Sequence, residues 1–326
     1  MAVFDSNSCV NPIPLRRDGR TVFVPCGKCP CCMHRRQQTL AFRLVEEMHS
    51  TNLPSYFIGL SYEDEHLPVR ELDCFTVNDE MPSASEDFIQ SFVPGRYPVL
   101  SRKHLTDFLG RFRKLTVRRF ARKQNLSVKD CAGLFRYCAV GEYGSTTLRP
   151  HYHVIVFGYP CADVTQIVRD LRRIWPYGFV TASDLNEARC GYCALYILES
   201  AHLPPQYRLP STKPFYHCSN GIGKDFLTPQ MSRYIKTHTL TRLIDRNGYS
   251  VPLPDYYKNI LYPPRTIDRV LRSVDVMRQY RERASEKLDG LIERYGEDDF
   301  GRVLQEYSSL QLDQLRNKLI KHHGSI

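Results

Sequence analysis

The chain has 326 residues, with 45 Lys and Arg against 35 Asp and Glu, for a formal net charge of +10. That length exceeds one typical core and predicts one main domain with appendages or two modest domains. A hydrophobic fraction of 42% and a charged fraction of 25% exclude wholesale disorder and collagen-like repeats. No run approaches the about 18 apolar residues that a membrane helix needs. Residues 1–10 have neither a basic stretch nor an apolar core, so no secretory signal is expected. The basic balance suits a polyanionic partner, although many basic proteins bind none.

Twelve cysteines are spread unevenly: Cys26, Cys29, Cys31 and Cys32 crowd together, while Cys138, Cys161 and Cys193 sit in apolar surroundings. Without a secretion signal the expected compartment is reducing, with the thiols free or metal-bound. The spacing Cys26-x2-Cys29-x2-Cys32, with Cys9 as a fourth ligand, suits a structural tetrahedral Zn²⁺. A turn of buried or solvent-facing thiols reads equally well.

In chain order, the first 33 residues read as an irregular, Cys- and Pro-containing module. Leu40, Leu44, Val45 and Met48 recur at helical spacing and predict an amphipathic helix over 35–50. Residues 56–62 (YFIGLSY) are short, apolar and bounded by prolines, which predicts a strand. The acidic, Ser- and Pro-bearing stretch 70–98 reads as an insertion or loop. Ser101 caps a predicted helix running to about Gln124. That helix carries Arg102, Lys103, Arg111, Arg113, Lys114, Arg118, Arg119, Arg122 and Lys123 against the single acid Asp107, with a stripe of Phe108, Leu109, Phe112 and Leu115.

Two strands follow, 134–142 and 151–157, joined by a turn-rich segment. Then come a helix over 163–175, a strand over 178–182 and a helix over 185–200. From 204 to about 265 the pattern loosens through a Pro-rich stretch, and 266–322 has charged, helical periodicity. The order indicates an α+β fold with a central antiparallel sheet flanked by helices. The expected division is a Cys-rich module with its helix (1–50), a catalytic domain (51–203), an irregular extension (204–265) and a helical tail (266–326).

Arg149-Pro150-His151-Tyr152-His153 opens the second strand of the hairpin. Residues two apart share a strand face, so His151 and His153 point together and Tyr152 points away. Glu142 ends the preceding strand, where hairpin pairing brings it beside His151. Two imidazoles and one carboxylate suit Mg²⁺ or Mn²⁺, with zinc a competitor, and leave positions open for water and phosphate oxygens. Apolar strands also carry His-x-His structurally, and Glu142 between Gly141 and Gly144 also reads as a loop acid. Tyr192 and Tyr196, at i and i+4, lie on one helical face and can reach one phosphate together; the same spacing is common in packing pairs. Deprotonating a phenol at neutral pH costs about 4 kcal/mol at ~1.36 kcal/mol per unit, a cost that a nearby divalent cation lowers. Gly221-Ile222-Gly223-Lys224 lacks the first Gly of a phosphate loop and has Asp225 for Ser/Thr, so an ATP site is rejected. The basic helix reads either as a tracker of phosphate backbone or as a solvated face.

These residues together resemble the HUH endonuclease superfamily, and within it the gokushovirus-type rolling-circle replication initiators of Microviridae. The resemblance covers Pro25-Cys26-Gly27-Lys28-Cys29 with Cys32, the 56–62 strand with His66-Leu67-Pro68, and Gly141-Glu142-Tyr143-Gly144 leading into Arg149–His153. It continues through Tyr192 and Tyr196, Gly221-Ile222-Gly223 and Leu253-Pro254-Asp255-Tyr256-Tyr257. It implies an HUH/Rep-like sheet of the ferredoxin or RRM kind, and a tyrosine that attacks a phosphodiester in single-stranded origin DNA. The products are a 5′-phosphotyrosine and a free 3′-OH, and the displaced strand is later religated. Metal ligands Glu142, His151 and His153 and nucleophiles Tyr192 and Tyr196 follow from it. It further implies a host helicase and polymerase as partners and the bacterial host's cytoplasm as location, with no membrane association. The expected DNA contacts are Arg111, Arg113, Lys114, Arg118, Arg119, Arg122, Lys123 and Arg149. Relatives often carry lysines where this chain has Leu195 and Glu199. A plasmid relaxase or HUH transposase would share the chemistry. A non-catalytic DNA-binding protein, its tyrosines only packing or stacking on bases, is the reading from another class.

Overall fold

The structure, a computed structural model, describes residues 9, 12–17, 20–195 and 203–295. In chain order its elements begin with β1 (Ile13–Arg17), β2 (Arg20–Val24), α1 (Pro30–Ser50), β3 (Tyr56–Ser61), β4 (Val69–Leu72), α2 (Cys74–Glu80), α3 (Glu86–Ser91) and β5 (Gly95–Pro98). Next are α4 (Arg102–Gln124), β6 (Arg136–Tyr143), β7 (Pro150–Phe157), α5 (Val164–Ile174), β8 (Val180–Asp184), α6 (Glu187–Leu195) and β9 (Phe215–Cys218). The last are α7 (Pro229–Thr237), β10 (Arg242–Ile244), β11 (Ser250–Pro252), α8 (Asp255–Leu261) and α9 (Ile267–Tyr295). The chain divides into two compact units, residues 40–226 and residues 1–39 with 227–326, and the boundary falls within α1.

The 40–226 unit is an α+β fold built on a five-stranded sheet of order β8-β3-β7-β6-β9, with every pairing antiparallel. Strand alternation sorts its residues onto two faces. Tyr56, Ile58 and Leu60 of β3 stand opposite Val156, Val154 and Tyr152 of β7. These side chains are buried in one cluster with Leu105, Phe108, Leu109, Phe112, Val117 and Phe120 of α4 and Ile167 and Leu171 of α5. The α4 residues recur at helical spacing, which is why one stripe of a basic helix can be entirely apolar. Ser101 caps α4 by accepting from His104 N–H, as its sequence predicts, and Asn125 ends it in a left-handed conformation at φ 50°.

Tyr152 locks this face. Its hydroxyl lies 2.8 Å from the Tyr62 hydroxyl, accepts from Ser101 N–H at 2.8 Å and reaches Ser101 O at 3.0 Å. The opposite face of the sheet carries the odd-numbered residues of β3 and β7, and α6 lies against it.

Three stretches are more regular than their composition predicts. The 70–98 segment forms the β4–β5 hairpin with α2 and α3 between its strands. Asp73 and Ser85 cap the two helices by accepting from Thr76 N–H and Phe88 N–H, and Leu72, Val77, Phe92 and Leu209 bury a small core. The first 33 residues include the β1–β2 hairpin. Within 204–265, β9 completes the large sheet by pairing with β6.

In the other unit β10 and β11 form a second hairpin and α9 is a long helix. The expected helix over 185–200 is described as far as Leu195, so Tyr196 and Glu199 lie outside the described residues. Among the described residues no helix is long and apolar enough to cross a membrane.

Candidate metal and nucleophile site

The register of the β6–β7 hairpin places Glu142 directly across from His151 and Val140 across from His153. Directly opposed residues of an antiparallel pair share a face, so the carboxylate and both imidazoles project from the same side. Glu142 is 2% exposed. Its Oε1 lies 2.8 Å from His153 Nε2 and in tight contact with His151 Nε2. Burial pushes the Glu142 carboxyl up, but hydrogen bonding from both imidazoles outweighs burial and holds it below its ordinary value.

His151 Nδ1 lies 3.1 Å from Arg149 O. A carbonyl can only accept, so Nδ1 carries the proton and neutral His151 turns a lone pair on Nε2 toward the carboxylate. Two acceptors facing each other need a proton or a cation between them. Glu142 Oε2 is also buried with no hydrogen-bond partner among the described residues, a costly state for a carboxylate oxygen without a cation. These three residues form one of the groups whose ligand atoms lie within 4.8 Å of one another. Two nitrogens and a carboxylate fit a divalent cation that keeps open positions.

Tyr192 reaches this group from α6. Its hydroxyl is 3.4 Å from Glu142 Oε1, and its ring stands edge-on to His153 with centroids 5.3 Å apart. Phe57 supports both, stacking on His153 at 4.9 Å and 22° and meeting Tyr192 edge-on at 6.0 Å. Arg189, one turn before Tyr192, sets its guanidinium carbon 5.6 Å from the Phe57 centroid. Phe57 and Arg189 escaped the sequence reading. The signal for Phe57 was present: on β3 the odd positions 57, 59 and 61 form the face that the apolar even positions leave free. Gly59, opposite His153, keeps that face open, because a Cβ there would lie 2.6 Å from Thr181 Oγ1.

The basic residues expected to contact DNA are placed differently. The apolar stripe of α4 packs on the even-numbered face, so the helix lies across the sheet from Glu142. Arg119 pairs at 2.5 Å with Asp170, which is 2% exposed. Arg111 reaches Ile174 O at 3.3 Å and Lys123 reaches Pro160 O at 3.4 Å. Arg113, Lys114, Arg118 and Arg122 are exposed. Arg149 is spent on Asp64, 2.6 Å away, and on Tyr62 O, also 2.6 Å away.

The second ligand group is Cys9, Cys26, Cys29 and Cys32, again with all ligand atoms within 4.8 Å. Gly27, at φ +73°, turns the chain so that Lys28 N–H and Cys29 N–H both donate to Cys26 Sγ, at 3.4 and 3.3 Å. Those bonds bring the Cys26 thiol down to about 6. Cys26 N–H donates to Cys9 Sγ at 3.1 Å, and Cys9 Sγ lies 3.8 Å from Cys29 Sγ. Tetrahedral Zn–S bonds of about 2.3 Å set sulfurs about 3.8 Å apart. Cys31 stands outside the group, its thiol pushed up to about 11 by burial.

Comparison with known proteins places the site in a family. Residues 95–201 match the family model for replication-associated protein ORF2. The chain is 24% identical to the replication-associated protein ORF2 of Spiroplasma virus 4, over 72% of this chain and 66% of that protein. It is 23% identical to replication-associated protein ORF4 of Chlamydia phage 1, over 73% of this chain and 53% of that protein. Against replication-associated protein VP4 of Bdellovibrio phage phiMH2K the identity is 24%, over 72% of this chain and 66% of that protein. The matched segment thus spans just under two thirds of the first and third relatives and about half of the second. Residues 95–201, with Glu142, His151, His153 and Tyr192 among them, belong to the replication-associated protein ORF2 family, and the chain is homologous to the replication-associated proteins of Spiroplasma virus 4 and Chlamydia phage 1.

Proposed function

We propose that this chain initiates rolling-circle replication by nicking single-stranded origin DNA through tyrosine transesterification. The observation that carries the reading is the Tyr192 hydroxyl 3.4 Å from a buried carboxylate oxygen that two imidazoles share. Tyr192 Oη forms a bond to the scissile phosphorus as the P–O3′ bond breaks. The phenol proton ends, net, on the released 3′-oxygen. One phosphate ester replaces another, so no ATP is consumed, in keeping with the incomplete phosphate loop at 221–225. Glu142, His151 and His153 would hold Mg²⁺ or Mn²⁺, which polarises a phosphate oxygen and eases the phenol's ionisation. Phe57 fixes the His153 ring, and Arg149 O fixes the His151 tautomer. Tyr196, four residues beyond Tyr192, is the second nucleophile that recuts after one round and allows religation. The free 3′-OH is the primer for a host polymerase, with a host helicase opening the duplex ahead. The Cys9, Cys26, Cys29 and Cys32 group holds a structural Zn²⁺.

The test is an SDS-stable adduct with an origin-derived oligonucleotide in Mg²⁺ or Mn²⁺, followed by peptide mapping. His151→Ala should abolish it, Tyr192→Phe and Tyr196→Phe should each retain it, and the double variant should lose it. Cleavage by the wild type with no adduct at any time would mean that water, not tyrosine, is the nucleophile.

A further inference from the structure

A groove of about 340 Å³ opens between α4 and the edge strand β9, on the sheet face away from Glu142. Register fixes what floors it. His217 pairs with Ala139 and Phe215 with Gly141, so both rings project to the α4 side along with Tyr137 of β6. The Tyr137 hydroxyl lies 2.7 Å from His217 Nδ1, and the two rings are stacked at 5.7 Å and 29°. The far wall is α4, which contributes Arg102 and Arg113 with Gly110 between them. The Arg102 guanidinium lies 4.0 Å over the Phe215 ring, and that of Arg113 lies 5.6 Å from the Phe135 centroid. Neither arginine forms an ion pair among the described residues, and no acid lines the groove.

Gly110 is the informative residue. Glycine in mid-helix weakens the helix relative to alanine. Yet a Cβ at Gly110 would meet nothing within 4 Å. Packing therefore does not call for the glycine, and its effect is to leave the helix backbone bare where it faces the rings.

We propose that this groove binds one unpaired nucleotide of single-stranded DNA, its base against the Phe215 and His217 rings and its phosphate at Arg102 and Arg113. Aromatic floors take any base, because every base has a π-face, and guanidinium groups free of carboxylates take the phosphate. A volume near the lower end of the ~300–1,000 Å³ typical of ligand pockets suits one nucleotide. Duplex DNA hides its base faces and does not fit. The inference rests on DNA being the partner, not on the nicking chemistry: a strand held here is a different segment from the one at Tyr192, on the far side of the sheet.

The experiment uses the full chain and a fluorescein-labelled oligo-dT that carries no origin sequence, read by anisotropy, with a 5-iodouracil version for photo-cross-linking. Gly110→Leu fills open space, so its melting temperature should hold or rise while affinity falls about tenfold. Arg102→Glu should weaken binding at least as much and flatten its salt dependence. Cross-links should map to the 215–217 peptide in the wild type and vanish in Gly110→Leu. His151→Ala should bind and cross-link like the wild type, so loss of the nicking reading would leave this result untouched. Wild-type affinity in both groove variants, cross-links that never reach 215–217, or a duplex that competes as well as the single strand would each overturn the proposal.

Discussion

The two ligand clusters are built in opposite ways. Glu142, His151 and His153 stand on neighbouring strands of a sheet whose register is fixed by a packed core on its other face. Cys9, Cys26, Cys29 and Cys32 sit on irregular backbone and on the first turn of α1, held together by N–H to sulfur bonds and little apolar material. A sheet can present ligands without a metal, whereas a loop of thiols needs the metal to be a structure at all. The contrast is that between an open reactive site and a closed structural one.

The sharpest break in this contrast comes from metal loss at the cysteines. Structural zinc in comparable sites contributes about 10–16 kcal/mol in apparent terms. Cys29→Ser should therefore lose one zinc per chain by mass spectrometry and expose residues 9–33 to protease. Retention of full protease resistance would mean that the thiols merely pack.

Glu142→Gln should act in the reverse sense. Adduct formation should fall by more than about a hundredfold, while chemical unfolding shifts by no more than about 1 kcal/mol. A variant that fails to fold would show that the carboxylate, like the cysteines, is structural.

Smaller effects should come from the packed face that supports the site. Tyr152→Phe removes a buried hydroxyl with three polar contacts and should cost about 1–3 kcal/mol in urea unfolding, with divalent-metal affinity unchanged. A drop in metal affinity equal to that of His153→Ala would show the two faces to be inseparable.

The smallest effect concerns His104, which stacks on Tyr177 at 4.0 Å. Burial, assisted by Lys103, lowers its pKa below the ordinary 6.5. The unfolded chain then binds the proton more readily. The stabilising share of His104 is complete above pH 6.5 and is lost as pH falls through the lower folded value. Stability of the wild type relative to His104→Gln should accordingly decline on acidification below 6.5, and a difference independent of pH would contradict the sign.

Much of the site was legible because strand periodicity is short-range. Two histidines at i and i+2 must share a face, and a hairpin must return Glu142 to His151. The Cys26, Cys29 and Cys32 spacing is likewise local, although the approach of Cys9 to within 3.8 Å of Cys29 depends on a fold-back that spacing cannot encode. What escaped was non-local. The apolar stripe of α4 reveals which of its residues are buried but not which sheet face they cover, so the helix was expected beside the chemistry and lies across the sheet from it. β9 escaped because a four-residue strand at a sheet edge is defined by its partner rather than by its own pattern. The 70–98 elements escaped because acids and serines dominate their composition. Their caps at Asp73 and Ser85 were nevertheless readable signals.

β7 carries two messages in alternation. Positions 151 and 153 serve chemistry, while 152, 154 and 156 serve volume, and the two sets share one backbone. A library randomised across this strand and selected only for soluble expression should drift freely at 151 and 153 and stay apolar or aromatic at 152, 154 and 156. Selection for phage propagation should add the missing constraint at the first pair alone. A single inserted residue upstream of 151 would satisfy neither selection, because it exchanges the two messages at once.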